Sequence, residues 1–114
     1  MEDCLFCKIV KGEIPSTKVF ENEYVYAFKD INPVAPVHVL LIPKIHIESL
    51  NDVNEENLNY LSNIMISIKQ IAKICGIYEK GYRVISNCGK DGGQVVGHLH
   101  FHLLAGKQLG EKIV

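Results

Sequence analysis

Neither sign of charge is in excess in this chain: 12 basic residues stand against 13 acidic ones among 114, and no cluster of Lys or Arg breaks the balance. Long-range attraction to nucleic acid or to an anionic membrane is therefore weak, and a small ligand is the expected partner. Also missing is any apolar run approaching the roughly 20 residues of a membrane-spanning helix. The opening MEDCLFCKIV has acids where a secretory leader has a basic region, so a soluble, cytoplasmic protein is expected. There are no internal repeats, no low-complexity tracts and no Ser/Gly/Pro-rich linker. That leaves a single domain over 1–114, large enough for one core and too small for two. A disulfide framework is not expected either, because Cys4 and Cys7 are too close together to staple anything large and Cys75 and Cys88 each end an element. Reduced thiols or metal ligands remain. Neither a Walker A sequence nor a G-x-G-x-x-G fingerprint is present, so a phosphate would be recognised without a P-loop or a dinucleotide fold.

What is present orders itself along the chain. LFCKIVKGEIP has apolar residues at 5, 6, 9 and 10 before Gly12 and Pro15, which suits a short helix ended by a turn. Three strand-like runs follow, TKVFE, YVYAFKD and VHVLLIP, separated by turn residues and pointing to an antiparallel meander. Residues 55–76 read as one long helix closed by Gly76. Leu58, Leu61, Met65, Ile68, Ala72 and Cys75 form its apolar stripe, and Tyr60, Ile64, Ile71 and Ile74 widen it to roughly 200°, against about 100° for a helix buried on one side. Such a helix is expected to touch more than its own sheet, with its Tyr60, Ile64 and Ile71 side buried by pairing with a second copy of the chain. The runs YRVISN and LHFHLLA add two strands, joined by CGKDGGQVVG. The order predicts an α+β fold: an antiparallel five-stranded sheet with one long helix and a short N-terminal helix.

Chemistry concentrates in HLHFHLLAG. Three of the five histidines, His98, His100 and His102, occupy alternate positions of one apolar segment. In a strand they share a face while Leu99, Phe101 and Leu103 pack the other. An exposed polar edge would show mixed polar residues, whereas imidazole suits proton transfer, nucleophilic attack or metal binding near neutral pH. Cys4-Leu5-Phe6-Cys7 is a C-x2-C half-site for zinc, or alternatively a redox pair, although no strand precedes it as a thioredoxin-like motif would require. Histidine would have to close such a site, and a Cys2His2 centre still leaves at least one strand histidine for chemistry. The glycines of Gly89-Lys90-Asp91-Gly92-Gly93-Gln94 allow backbone N–H groups to converge on an anion, or simply make a turn. A phosphate ester or anhydride attacked by histidine is the coherent combination.

With His98-Leu-His100-Phe-His102-Leu-Leu the sequence resembles the histidine triad (HIT) family of nucleotide hydrolases and transferases, whose signature alternates histidine with apolar residues. The likeness extends over CLFCKIVKGEIPS, AFKDINPVAPVHVLLIPKIHI and GKDGGQVVGHLHFHLLAG, and is strongest to the Hint-type purine nucleoside phosphoramidases. The resemblance implies a HIT-like fold and a homodimer acting on a purine nucleotide. It implies that His100 attacks the α-phosphorus of a nucleoside 5′-phosphoramidate or aminoacyl-adenylate to give a nucleotidyl-histidine, that His102 bonds the phosphate and helps the leaving group, and that His38 stands behind the site. The nucleoside would rest against Leu5, Phe6, Ile9 and Ile31, with Asp30 accepting ribose hydroxyls. Asn87 and Gly93-Gln94-Val95 would hold the α-phosphate. A structural zinc ion would fall to Cys4, Cys7, His46 and His98. Two departures stand out: Val95 replaces a serine found in many eukaryotic members, and GKQLGEKIV lacks their Trp-containing tail, which points to a bacterial-type protein. Two other readings are cleavage of dinucleoside polyphosphates and a nucleotide- or zinc-binding interaction protein with little turnover.

Overall fold

The computed structural model describes residues 3–113. Its elements are α1 (Leu5–Val10), β1 (Lys18–Glu21), β2 (Val25–Lys29), β3 (Val37–Pro43), a 3-10 turn (Leu50–Asp52), α2 (Leu58–Ile74), β4 (Arg83–Ile85) and β5 (Phe101–Ala105). The strands form one sheet in the order β1-β2-β3-β5-β4, antiparallel at every pairing. The expected α+β architecture and the β1-β2-β3 meander are both observed. Among the described residues no helix is long and apolar enough to cross a membrane.

The period of two along each strand divides the core. Val25, Ala27, Val39, Leu41, Phe101, Leu103 and Ala105 face α2 and pack with its Leu61, Ile64, Ile68, Ile71 and Ala72. Tyr26, Phe28, Leu40 and Ile42 face the other way and pack with Phe6 and Ile9 of α1. β3 is covered on both sides, which is why VHVLLIP reads as a nearly continuous apolar run. His102 pairs with Leu40 across the β3–β5 ladder and therefore shares the α1 face.

Helix α2 begins at Leu58, three residues later than the sequence pattern predicts. The Asn54 carboxamide oxygen accepts the Glu56 and Asn57 N–H groups at 2.9 and 3.1 Å, holding the acidic opening in a turn. At the other end the Ile77 N–H reaches the Ala72 carbonyl at 2.9 Å around Gly76 at φ 72°, a Schellman closure that a residue with a Cβ adopts only under strain. The buried face also differs from the expected stripe. Ile64 and Ile71 are fully buried in the chain's own core and Tyr60 packs edge-on against Tyr24, while Leu58, Met65, Ile66 and Ile74 are exposed. The side expected to meet a partner is thus covered from within, because β2, β3 and β5 together span that arc.

Four strands are shorter than expected, β1 and β2 by one and two terminal residues and the other pair with more consequence. β4 covers Arg83–Ile85 and β5 starts at Phe101, so His98 and His100 lie before the ladder. The β3–β5 ladder pairing ends at Leu41 with Phe101, yet Leu99 still points into the α2-side core and the alternation continues.

Ile64→Ala should lower stability by about 2–5 kcal/mol, the cost of a cavity in a sealed core, whereas Leu58→Ala should stay within about 0.5 kcal/mol. Urea denaturation of both variants measures the contrast.

Candidate active site and metal centre

Cys4 caps α1, its sulfur accepting the Cys7 N–H at 3.4 Å, and the first turn carries Cys7 back toward it. His46 follows β3, and His98 arrives from the segment before β5. The four donor atoms lie within 4.8 Å of one another. His98 Nδ1 stands 3.3 Å from the Cys4 sulfur and 3.5 Å from that of Cys7, and His46 Nδ1 stands 3.4 Å from Cys7. With bonds of about 2.3 Å to sulfur and about 2.0 Å to nitrogen, a tetrahedral ion would set its S···N edges at about 3.5 Å. The His98 Nε2–H donates to the Pro43 carbonyl at 3.1 Å, which leaves the Nδ1 lone pair turned to the thiols. The chemistry of this donor set therefore fits a metal ion of zinc's type.

Electrostatics agree with that fit. Burial, reinforced by the Cys4 thiol, pushes Cys7 above the usual thiol range. Burial pushes His98 down to about 4, with His46 and His100 adding to the effect against the opposing Pro43 carbonyl. A Cys7 thiol that resists ionisation and a His98 imidazole that resists protonation favour a divalent cation among the four donors, since the cation takes the place of protons.

The other three imidazoles are ordered by their hydrogen bonds. His100 is buried and donates Nδ1–H to the His98 carbonyl at 2.7 Å, so its second nitrogen, Nε2, carries the lone pair. Phe6 packs edge-on against the ring at 5.1 Å. His38 Nδ1 accepts the Val34 N–H at 3.1 Å, which places the His38 hydrogen on Nε2. That hydrogen is shared between His102 Nδ1 at 2.9 Å and the Asp30 carboxylate at 3.3 Å. His102 accepts at Nδ1 and so holds its own hydrogen on Nε2. Burial lowers the pKa of His102, with His100 and His38 contributing. Asp30, His38 and His102 are close enough together to hold a cation. The Val34 bond argues otherwise, because the His38 nitrogen facing the group carries a proton and cannot also ligate; the trio is a hydrogen-bonded relay.

The remaining expected residues are placed unevenly. Leu5, Ile31 and Val95 are exposed, whereas Phe6 and Ile9 belong to the α1-side core. Asp30 already accepts the Asn32 N–H at 2.8 Å in addition to His38. Asn87 is half-buried just beyond β4, next to Ser86, whose hydroxyl donates to the His100 carbonyl at 2.8 Å. The glycine loop is not the open anion cradle its composition suggests. The Gly93 and Gln94 N–H groups bond to the Lys90 and Gly89 carbonyls, and the Gly89 N–H goes to the Gln94 side chain. The Gln94 amide also donates to the Glu48 and Val96 carbonyls at 2.7 and 3.0 Å, latching the loop to the segment after β3. At Gly92 a Cβ would run into the Cys88 carbonyl oxygen, so the folded loop requires glycine there. A cavity of about 740 Å³ lies away from the histidines, between residues 76–83 and 106–110, and one of about 280 Å³ adjoins Asp30 and His38.

Sequence reasoning missed the Pro43 and His98 carbonyls and the Val34 N–H, since main-chain groups carry no sequence signal. The apolar Phe6 in C-L-F-C was expected only as a ligand contact; its packing on His98 and His100 was not.

A histidine-rich sheet face of this kind, on this topology, defines the HIT domain, and the model of that domain matches residues 11–109. The chain belongs to the histidine triad family and is a hydrolase. It is 46% identical over 109 residues to the purine nucleoside phosphoramidase of Escherichia coli (strain K12), covering 96% of this chain and 92% of the relative. It is 44% identical over 110 residues to an adenosine 5′-monophosphoramidase of Candida albicans, covering 91% of this chain and 70% of the relative. A solved HIT family hydrolase from Clostridium thermocellum superposes with a TM-score of 0.97 at 54% identity, over 100% of this chain and 99% of that one.

Metal-free protein should lose stability in acid. The folded His98 resists protonation down to about 4, while in the unfolded chain it takes up a proton near its usual value of about 6.5. Its contribution is therefore complete above about pH 6.5 and is lost as pH falls toward 4, a loss of about 3 kcal/mol. Urea titrations of chelator-treated protein at pH 7 and pH 4.5 measure it.

Proposed function

We propose that the chain hydrolyses purine nucleoside 5′-phosphoramidates or aminoacyl-adenylates through a nucleotidyl-histidine intermediate. The observation that carries this reading is the 2.7 Å bond from His100 Nδ1–H to the His98 carbonyl, which leaves Nε2 as a nucleophile of fixed tautomer. The names of the relatives in Escherichia coli and Candida albicans support the substrate class.

In the first step His100 Nε2 bonds to the α-phosphorus as the bond to the departing group breaks. A phosphoramidate releases an amine carrying a proton taken from solvent, and the positive charge left on the imidazole is shared with the His98 carbonyl. Water then attacks the same phosphorus, the P–N bond to His100 breaks, and the water's proton restores the balance. The His102 Nε2–H bonds a phosphoryl oxygen and the leaving group, while its Nδ1 is held by His38. The nucleoside would lie along Leu5 and Ile31 at the rim of the cluster containing Phe6 and Ile9. Asp30 would exchange its His38 contact for ribose hydroxyls. Asn87 and the main chain at Val95 would meet the phosphate, the Gly93 and Gln94 N–H groups being held in the loop's own closure. Zinc would be held by Cys4, Cys7, His46 and His98 and would be structural, since four protein ligands leave no open position.

Turnover of adenosine 5′-phosphoramidate tests the activity, and a parallel assay with dinucleoside polyphosphates tests the competing substrate class. His100→Ala should lower kcat by roughly 10⁴-fold or more while nucleotide binding persists. A chiral phosphorothioate substrate should react with net retention, the sum of two in-line inversions; inversion would mean direct attack by water. Cys4→Ser should lower the metal content below the expected single zinc per chain, measured by elemental analysis.

We also propose a cytoplasmic homodimer as the working unit. Its surface would include the exposed Met65, Ile66 and Ile74 of α2 and the unpaired edge of β4, in place of the buried Ile64 and Ile71. Sedimentation at micromolar concentration should give twice the chain mass, and a stable monomer would refute it.

A further inference from the structure

We infer that His98 is a positioning residue: through its main chain, the Cys4, Cys7, His46 and His98 cluster sets the orientation of His100, so that metal occupancy governs the nucleophile and does more than fasten the N-terminal segment. The inference rests on the assignment of His100 as nucleophile.

The peptide group joining His98 to Leu99 carries the argument. Its carbonyl accepts the His100 Nδ1–H at 2.7 Å, and its N–H donates to the Ile47 carbonyl at 2.6 Å. Both ends of this one planar group are therefore tied to the cluster: His98 is itself a donor, and Ile47 is the residue after His46, another donor. The His98 ring is fixed on its far side by the Pro43 carbonyl. This peptide is not held by ladder pairing, because β5 starts only at Phe101. Phe6, between the two cysteines in sequence, packs edge-on against both His98 and His100, at 5.9 and 5.1 Å. Anything that draws His98 Nδ1 and His46 Nδ1 onto the two sulfurs thus fixes a peptide plane, and the plane fixes which nitrogen of His100 bears the hydrogen. A clasp that only held α1 against the sheet would need neither connection.

Full-length ¹⁵N-labelled protein loaded with Zn²⁺, loaded with the larger Cd²⁺, and stripped of metal distinguishes the two roles. Imidazole ¹⁵N–¹H correlation spectra report the His100 tautomer without any turnover, and kcat and KM for adenosine 5′-phosphoramidate are measured alongside. With Zn²⁺, His100 should show the single Nδ1–H tautomer. Without metal the tautomers should mix, and kcat should fall about tenfold or more while KM moves less than about threefold. Cd²⁺ keeps the ligand set but enlarges it, so the His100 Nδ1 resonance should shift and kcat should drop while the Ile64 and Ile71 amide signals stay in place. An identical His100 tautomer and resonance in all folded samples, with equal kcat, would overturn the inference. If the stripped protein does not fold, the Zn²⁺ and Cd²⁺ comparison decides by the same criteria. Absence of turnover in every sample would count against the proposed hydrolysis, and the tautomer spectra would still decide the positioning role.

Discussion

An extended chain turns successive side chains to opposite faces, and from Leu99 to Leu103 this alternation separates the molecule's two tasks. Leu99, Phe101 and Leu103 enter the α2-side core, and His98, His100 and His102 are left together on the opposite face. A slip of one residue would bury three imidazoles against α2 and expose three large apolar side chains. Register is therefore specified strongly by the core, and the geometry of the polar face follows from it. Leu103 in the ladder and Leu99 ahead of it act as pins at either end of the row.

The polar face is ordered mainly by main-chain groups. The Val34 N–H sets the His38 tautomer, the Pro43 carbonyl that of His98, and the His98 carbonyl that of His100. Each neutral imidazole offers one donor and one acceptor, so each of these bonds decides which nitrogen remains for a neighbour or ligand. The result is two separate constellations on one sheet. At one end are sulfur and nitrogen lone pairs converging on a point; at the other, a relay from His38 to His102, with the Nε2 lone pair of His100 between them.

How much of this was legible beforehand depended on whether side chains or backbone carried the information. The element order, the meander and the segregation of the histidines were readable because hydrophobic periodicity is a side-chain pattern. The C-x2-C spacing drew attention to the same two cysteines that the structure brings to His46 and His98. The face of α2 was misjudged at Ile64 and Ile71, because an arc width does not say which part the sheet covers. The glycine loop misled in a similar way. Its composition permits an anion cradle, but the loop spends the Gly89, Gly93 and Gln94 N–H groups on its own closure. The late start of α2 followed from the Asn54 side chain competing for the backbone, a local effect that charge patterning alone does not reveal.

The cluster joins parts of the chain that are far apart in sequence: Cys4 meets His98 across 94 positions. β5 also enters the sheet between β3 and β4, which both precede it. During synthesis the N-terminal cysteines therefore leave the ribosome long before their histidine partners, and until residues 98–105 have emerged and docked they form only half a site. A thiol pair alone holds an ion far less firmly than four donors do, so firm capture of a metal at this cluster would come late, coupled to insertion of a central strand. The same order of events makes the nascent chain vulnerable. For most of its synthesis β3 lacks a neighbour on one edge, and its run of apolar side chains is open to pairing with another chain.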